Sequence, residues 1–144
     1  MSKRRSGREL AFRLLFQLDL GGGELDDVFA VAREQSEATP EVWEFASALA
    51  RGAWQNHAAI DRDIERLATG WSLERMATAD RNLLRLAFYE IDKREDIPTS
   101  VSINEAVELA KSYSTPESAR FINGILGNYV RSKPQPTTEA RSAE

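Results

Sequence analysis

Few side chains in this sequence are equipped for catalysis. It has no cysteine and a single histidine, His57. The first absence excludes disulfides, iron–sulfur clusters, thiolate zinc sites and cysteine nucleophiles together. The second leaves a Ser-His-Asp triad one candidate base. His57 and Asp61 stand four residues apart, a ligand-like helical spacing, yet two ligands are too few for a metal. His57 also falls on an apolar seam, where a hydrogen-bonded core or edge histidine is the expected role. Carboxylate pairs such as Asp61/Asp63 and Glu24/Asp26 lie on exposed helical faces, as solvated surface. No Gly-x-x-x-x-Gly-Lys or Gly-x-Gly-x-x-Gly loop occurs, and Gly21-Gly22-Gly23 lacks a following Lys-Ser/Thr. Neither an enzymatic site nor a cofactor or metal is expected.

What remains is binding chemistry. Nineteen Lys and Arg against 23 acidic residues give a net charge of −4, but the charges are segregated. Residues 1–18 carry Lys3, Arg4, Arg5, Arg8 and Arg13 against Glu9 alone; over residues 19–47 the acids dominate, with Arg33 the one base. Counterion release depends on the patch that meets phosphate, so an acidic protein can carry a basic RNA-binding arm. Phe16 lies at the margin of an apolar stripe beside Arg13, and Phe121 at the margin of another between Glu117 and Arg120. Cations anchor phosphates and edge aromatics stack unpaired bases, each stack worth about 1–3 kcal/mol. The same residues also read as a solvated terminus and core phenylalanines, and the residues alone leave both readings open.

Two further positions stand out. Glu90 lies within the apolar arc of its helix, where an unpaired carboxylate costs several kcal/mol. It should therefore pair with an arginine or accept from backbone N–H groups as a structural anchor. Asn123-Gly124 interrupts a helical pattern at a cost of about 1 kcal/mol for the glycine; close helix packing at Gly124, with Asn123 bonded to a buried carbonyl, is the favoured explanation.

The elements that must position these residues are all helical. Leu10, Ala11, Leu14, Leu15 and Leu18 recur at three- and four-residue spacing, and three glycines end that helix at 21–23. Leu25, Val28, Phe29 and Ala32 mark a second. Thr39-Pro40 reads as cap and first residue of a long helix reaching Thr69-Gly70, kinked near Gly52. Ser72 caps a short turn (Leu73 to Met76). A helix from Thr78 or Ala79 to about Lys93 is apolar nearly all round, with Arg81, Arg85 and Asp92 in a narrow polar sector, so it belongs inside a bundle. Ser102 and Glu105 fit a capping box, and Thr115-Pro116 opens the last helix. No strand pattern occurs. The expectation is an all-α fold of about seven helices, forming one domain over 1–131 and a disordered tail over 132–144. No apolar run is long enough to cross a bilayer and no signal peptide opens the chain, so a cytoplasmic location is expected.

Several segments resemble the NusB family of bacterial transcription antitermination factors. They are Lys3-Arg4-Arg5 with Arg8-Glu9-Leu10-Ala11 and Leu14-Leu15-Phe16; Asp80-Arg81-Asn82-Leu83-Leu84-Arg85-Leu86-Ala87 with Tyr89-Glu90; Ile97-Pro98 with Ile103-Asn104-Glu105-Ala106-Val107; and Ser118 with Phe121-Ile122-Asn123-Gly124. The resemblance implies two packed three-helix subdomains, about 8–69 and 72–131. It also implies action in RNA polymerase antitermination complexes on ribosomal RNA operons, where such proteins bind single-stranded boxA RNA together with NusE, a small-subunit ribosomal protein. By motif position the RNA contacts are Lys3, Arg4, Arg5, Arg8, Phe16, Glu117, Arg120 and Phe121, and the NusE contacts Asp80, Arg81 and Leu84. The basic segment is expected to be a disordered arm that orders on RNA.

Two departures from the family pattern matter. Ser6-Gly7 interrupts an arginine run that is denser in many relatives, and Phe16 replaces a tyrosine found in some; both imply weaker RNA binding without NusE. Some members dimerise by covering the RNA face, so a homodimer stays open. The alternatives are a protein–protein adaptor, or the RNA-binding domain of a ribosomal RNA methyltransferase, whose downstream α/β domain this sequence does not contain.

Overall fold

Seven α-helices and one 3₁₀ turn follow one another among the residues described, 2–133, in a computed structural model. They are α1 (Lys3–Gly21), α2 (Leu25–Gln35), α3 (Pro40–Gln55), α4 (His57–Leu67), the turn Leu73–Arg75, α5 (Thr78–Lys93), α6 (Thr99–Tyr113) and α7 (Pro116–Ser132). The all-α expectation holds. Most of the tail expected over 132–144 lies outside the described residues; Ser132 itself completes α7, its hydroxyl donating to the Tyr129 carbonyl.

Local signals set most helix ends. Thr39 and Thr115 each accept a backbone N–H three residues on, from Val42 and Ser118, with proline in the first turn behind them. Gly22 and Gly23 take φ of +67° and +95°, which side-chain-bearing residues rarely adopt, so α1 stops there. Three boundaries differ from expectation. The long helix is broken at Asn56, whose side chain donates to the Gly52 carbonyl, so α3 and α4 are separate. Helix α6 begins at Thr99, placing Ser102 inside it rather than at its cap. And α1 begins at Lys3, capped by Ser2, whose hydroxyl accepts from Arg5 N–H. The basic arm is therefore the first turn of a helix, not a disordered leader.

The central element is α5, which packs against α1, α3, α4, α6 and α7. Leu83, Leu84, Leu86, Ala87 and Phe88 are all buried on it, and so is Arg85, despite its place in the helix's polar sector. Tyr129 stacks on Phe88 with ring centroids 4.0 Å apart. Gly52 admits the Tyr89 ring against α3: an ideal Cβ at this position would overlap the ring's phenolic end. Gly124 is the reverse of its expected role. It is exposed, nothing lies within 4 Å of an ideal Cβ there, and Asn123 is exposed beside it. The two glycines should respond oppositely to alanine. Gly124→Ala is expected to stabilise the fold by about 0.5–1 kcal/mol through helix propensity. Gly52→Ala is expected to destabilise it by about 1–3 kcal/mol, because the overpacked ring must move. Thermal melts of the two variants check both signs.

Candidate nucleic-acid interface

Each base of the first turn of α1 meets an acid on another segment. Lys3 Nζ lies 2.8 Å from Glu41, Arg4 Nη2 3.2 Å from Asp96, and Arg5 Nη2 2.9 Å from Glu105. The Lys3 ammonium is held above its usual range by the hydrogen bond and charge of Glu41, and the Arg5 guanidinium likewise by Glu105. A hydrogen bond from Arg94, supported by Arg4, holds the Asp96 carboxyl down to about 2. The guanidiniums of Arg4, Arg8 and Arg94 all lie over the Phe45 ring, 5.2–5.7 Å from its centroid. An ideal Cβ on Gly7 would press into that ring. The gap in the arginine run is thus where Phe45 seats against α1.

Arg8 is not at the surface. It is 3% exposed, and its Nε and Nη2 grip the Glu90 carboxylate at 2.7–3.1 Å. The Ser102 hydroxyl donates to the same carboxylate at 2.9 Å. Glu90 is the arginine-paired anchor its position demanded, and Arg8, assigned to RNA, is the partner. Leu84, assigned to the NusE face, is at 0% exposure and belongs to the core. Asp80 is buried and receives the hydroxyls of Ser114 and Ser118 at 2.8 and 2.7 Å, tying α5 to α7. Arg81 is locked onto Asp19 by two hydrogen bonds of 2.6 and 3.0 Å. His57 contacts the Trp54 carbonyl through Nδ1 and stacks on the Trp54 ring, while Asp61 is taken by Arg85.

The two edge aromatics stand on neighbouring hollows. Phe16, half-buried and edge-on to Phe12, lines a largely apolar hollow of about 560 Å³ with Leu20, Ala79 and Tyr113. Leu20 is 63% exposed there. Phe121 lines a second hollow of about 400 Å³ with Trp71, Arg75, Ala77, Asp80, Glu117 and Ser118. The start of α5 separates them, Ala79 facing one and Ala77 and Asp80 the other. So the rings share one region of surface. The basic turn does not join them: at 1.5 Å per residue, Lys3 lies about 20 Å along α1 from Phe16. Side chains of α1 that reach across to α6 lie between the two, and both helices point the same way. Arg5 meets Glu105 and Arg13 meets the Tyr113 hydroxyl at the same sequence offset of 100. Trp71 and Arg75 were not anticipated beside Phe121. The available signal was a tryptophan directly after Gly70, outside any amphipathic pattern that could bury it.

Among the described residues no helix is long and apolar enough to cross a membrane, and no three His, Asp or Glu side chains group to hold a metal. The chain is 49% identical over 138 residues to the transcription antitermination protein NusB of Symbiobacterium thermophilum, covering 89% of each chain. It is 45% identical over 141 residues to the protein of the same name from Desulforamulus reducens, covering 98% of this chain and 99% of that one. Among solved structures it resembles T. maritima NusB, with a TM-score of 0.82 at 35% identity over 99% of this chain and 98% of that one. It also resembles a chain of a complex of antitermination factors NusB and NusE with dsRNA, with a TM-score of 0.82 at 27% identity over 92% of this chain and 99% of that one. The NusB family model matches residues 5–131, and with that extent of likeness the chain belongs to the NusB family.

Proposed function

We propose that this NusB-family protein is a non-catalytic adaptor that grips single-stranded boxA-type RNA together with NusE, within RNA polymerase antitermination complexes in the cytoplasm. The observation that carries the reading is the placement of Phe16 and Phe121 on adjacent hollows around the start of α5, both side chains only partly buried. Stacking of unpaired bases needs ring faces at the surface. Exposed Glu117 and Arg120 flank Phe121. Lys3, Arg4 and Arg5 supply phosphate contacts from the far end of α1. Arg8 and Leu84 leave the set, being buried. The NusE face is the apolar hollow around Leu20, while Arg81, held by Asp19, and Asp80, held by Ser114 and Ser118, act as scaffold rather than as contacts.

The structure changes the mechanism at the basic turn. There is no disordered arm to order on binding; phosphates instead displace Glu41, Asp96 and Glu105 from bases that already stand in a helix. The Lys3–Glu41 and Arg4–Asp96 pairs are exposed on both sides, and such pairs are weak enough for that exchange. Binding of a boxA-type oligonucleotide, measured with and without NusE, tests the reading: NusE should tighten it. Arg4→Ala with Arg5→Ala is expected to lower the slope of log K against log salt by about 1 to 2. An unchanged slope removes the first turn of α1 from the RNA path, and absence of binding in both arms removes the RNA reading itself.

A further inference from the structure

Among the described residues whose large apolar side chains stand open to water, one is aromatic: Trp71, 52% exposed. Its place is fixed. Gly70 turns the chain at φ +85°, and the Trp71 N–H donates to the Ala68 carbonyl at 2.9 Å. The indole meets the Phe121 ring edge to face, centroids 6.1 Å apart at 63°. That arrangement leaves aromatic face uncovered on a ring that is already half in water. The charges around it point the same way. Arg75, which pairs with no acid among the described residues, lines the hollow that holds Trp71 and Phe121, and Arg120, likewise without an acid partner, adjoins Phe121 in sequence. Of the two acids that line the hollow, Asp80 has both oxygens occupied by Ser114 and Ser118, and Glu117 stands exposed on α7.

We infer that Trp71 is a base-stacking residue: with Phe121 it forms a two-ring platform for an unpaired RNA base, and Arg75 meets the adjoining phosphate. The inference rests on the RNA reading above and assigns a residue to it. An exposed indole sharing a hollow with a guanidinium that no acid engages suits a planar base on an anionic strand. A protein partner would favour a broad apolar surface, which here is the hollow around Leu20.

The test uses the full chain with NusE and a short, unstructured boxA-type RNA, followed by anisotropy and by tryptophan emission. Trp71→Ala is expected to weaken binding about 5- to 150-fold, the range of one lost base stack. Trp71→Phe should restore most of it, and the salt slope should match wild type because no charge is removed. RNA should quench wild-type emission, and the quench should vanish in Trp71→Phe, where Trp43 and Trp54 remain. The same RNA annealed to its complement should not distinguish wild type from Trp71→Ala. Wild-type affinity in Trp71→Ala, or an equal loss on duplex, overturns the assignment while the RNA reading stands. A loss confined to NusE capture, with RNA binding intact, overturns it in favour of a protein contact. No binding by wild type overturns both.

Discussion

Arg8→Ala is expected to lower stability by about 3–5 kcal/mol, roughly 10–20 °C in Tm, the cost of leaving one partner of a buried ion pair uncompensated. Glu90, at 2% exposure, would keep the Ser102 hydroxyl but lose three hydrogen bonds from the guanidinium. The loss concerns the stranded charge and not the worth of the pair. The triple variant Arg8→Met, Glu90→Leu, Ser102→Ala should therefore recover most of the stability, since apolar replacements of similar volume are often neutral in such sites. Calorimetry on the two variants separates these cases. The result also bears on RNA: at temperatures where Arg8→Ala is folded, its salt slope should equal that of wild type. A reduced slope would return Arg8 to the phosphate contacts.

The second large effect centres on Asp19, the last acid of α1. Its carboxylate accepts from Arg81 at 2.6 and 3.0 Å, from Asn82 at 2.8 Å and from Arg85 at 3.1 Å. Arg85 in turn holds Asp61 at 2.8 and 2.9 Å, so two carboxylates bridged by Arg85 join α1, α4 and α5. Asp19→Ala is expected to cost about 2–4 kcal/mol, less than the fully buried pair because water reaches its edge. Burial pushes the Asp19 carboxyl up, but the hydrogen bonds from Arg81 and Asn82 and the charges of Arg85 and Arg81 outweigh it and hold it below the usual range. A group depressed on folding stabilises fully above the unfolded carboxyl value near 3.9, and that contribution fades as pH falls through its folded value. The Tm gap between wild type and Asp19→Ala should thus be constant from neutral pH to about pH 5 and narrow as the pH drops below 4. A gap that widens on acidification would contradict the assignment.

What could be read locally was read well. Thr39-Pro40, Thr115-Pro116 and the triple glycine fix helix ends through their own backbone preferences, and each stands where expected. Glu90's need for a partner was legible because its position on the helical wheel placed it among leucines. The identity of that partner was not, since Arg8 lies 82 residues away. The same limit explains the misread arm. Three bases in a first helical turn oppose the helix dipole, so the sequence alone argues against a helix there. The acids that offset them come from 38, 92 and 100 positions further on. Ser102 illustrates a subtler failure: its capping-box spacing with Glu105 is real, but its hydroxyl serves Glu90 and the helix starts three residues earlier. At the interface, Phe16 and Phe121 could be placed at stripe margins from periodicity. Their shared surface depends on how α5 threads between α1 and α7, which no spacing rule encodes.

The long reach of Arg8 has a bearing on biogenesis. With 82 residues separating it from Glu90, and synthesis adding about 5–20 residues per second, the emerging polypeptide spends roughly 4–16 s with its leading helix cationic and undocked. For that interval the newborn chain exposes a strip of arginines beside the ribosome's own nucleic acid. Closure of the fold onto the late-made glutamate is then also the event that withdraws Arg8 from indiscriminate polyanion capture, leaving Lys3, Arg4 and Arg5 at the surface.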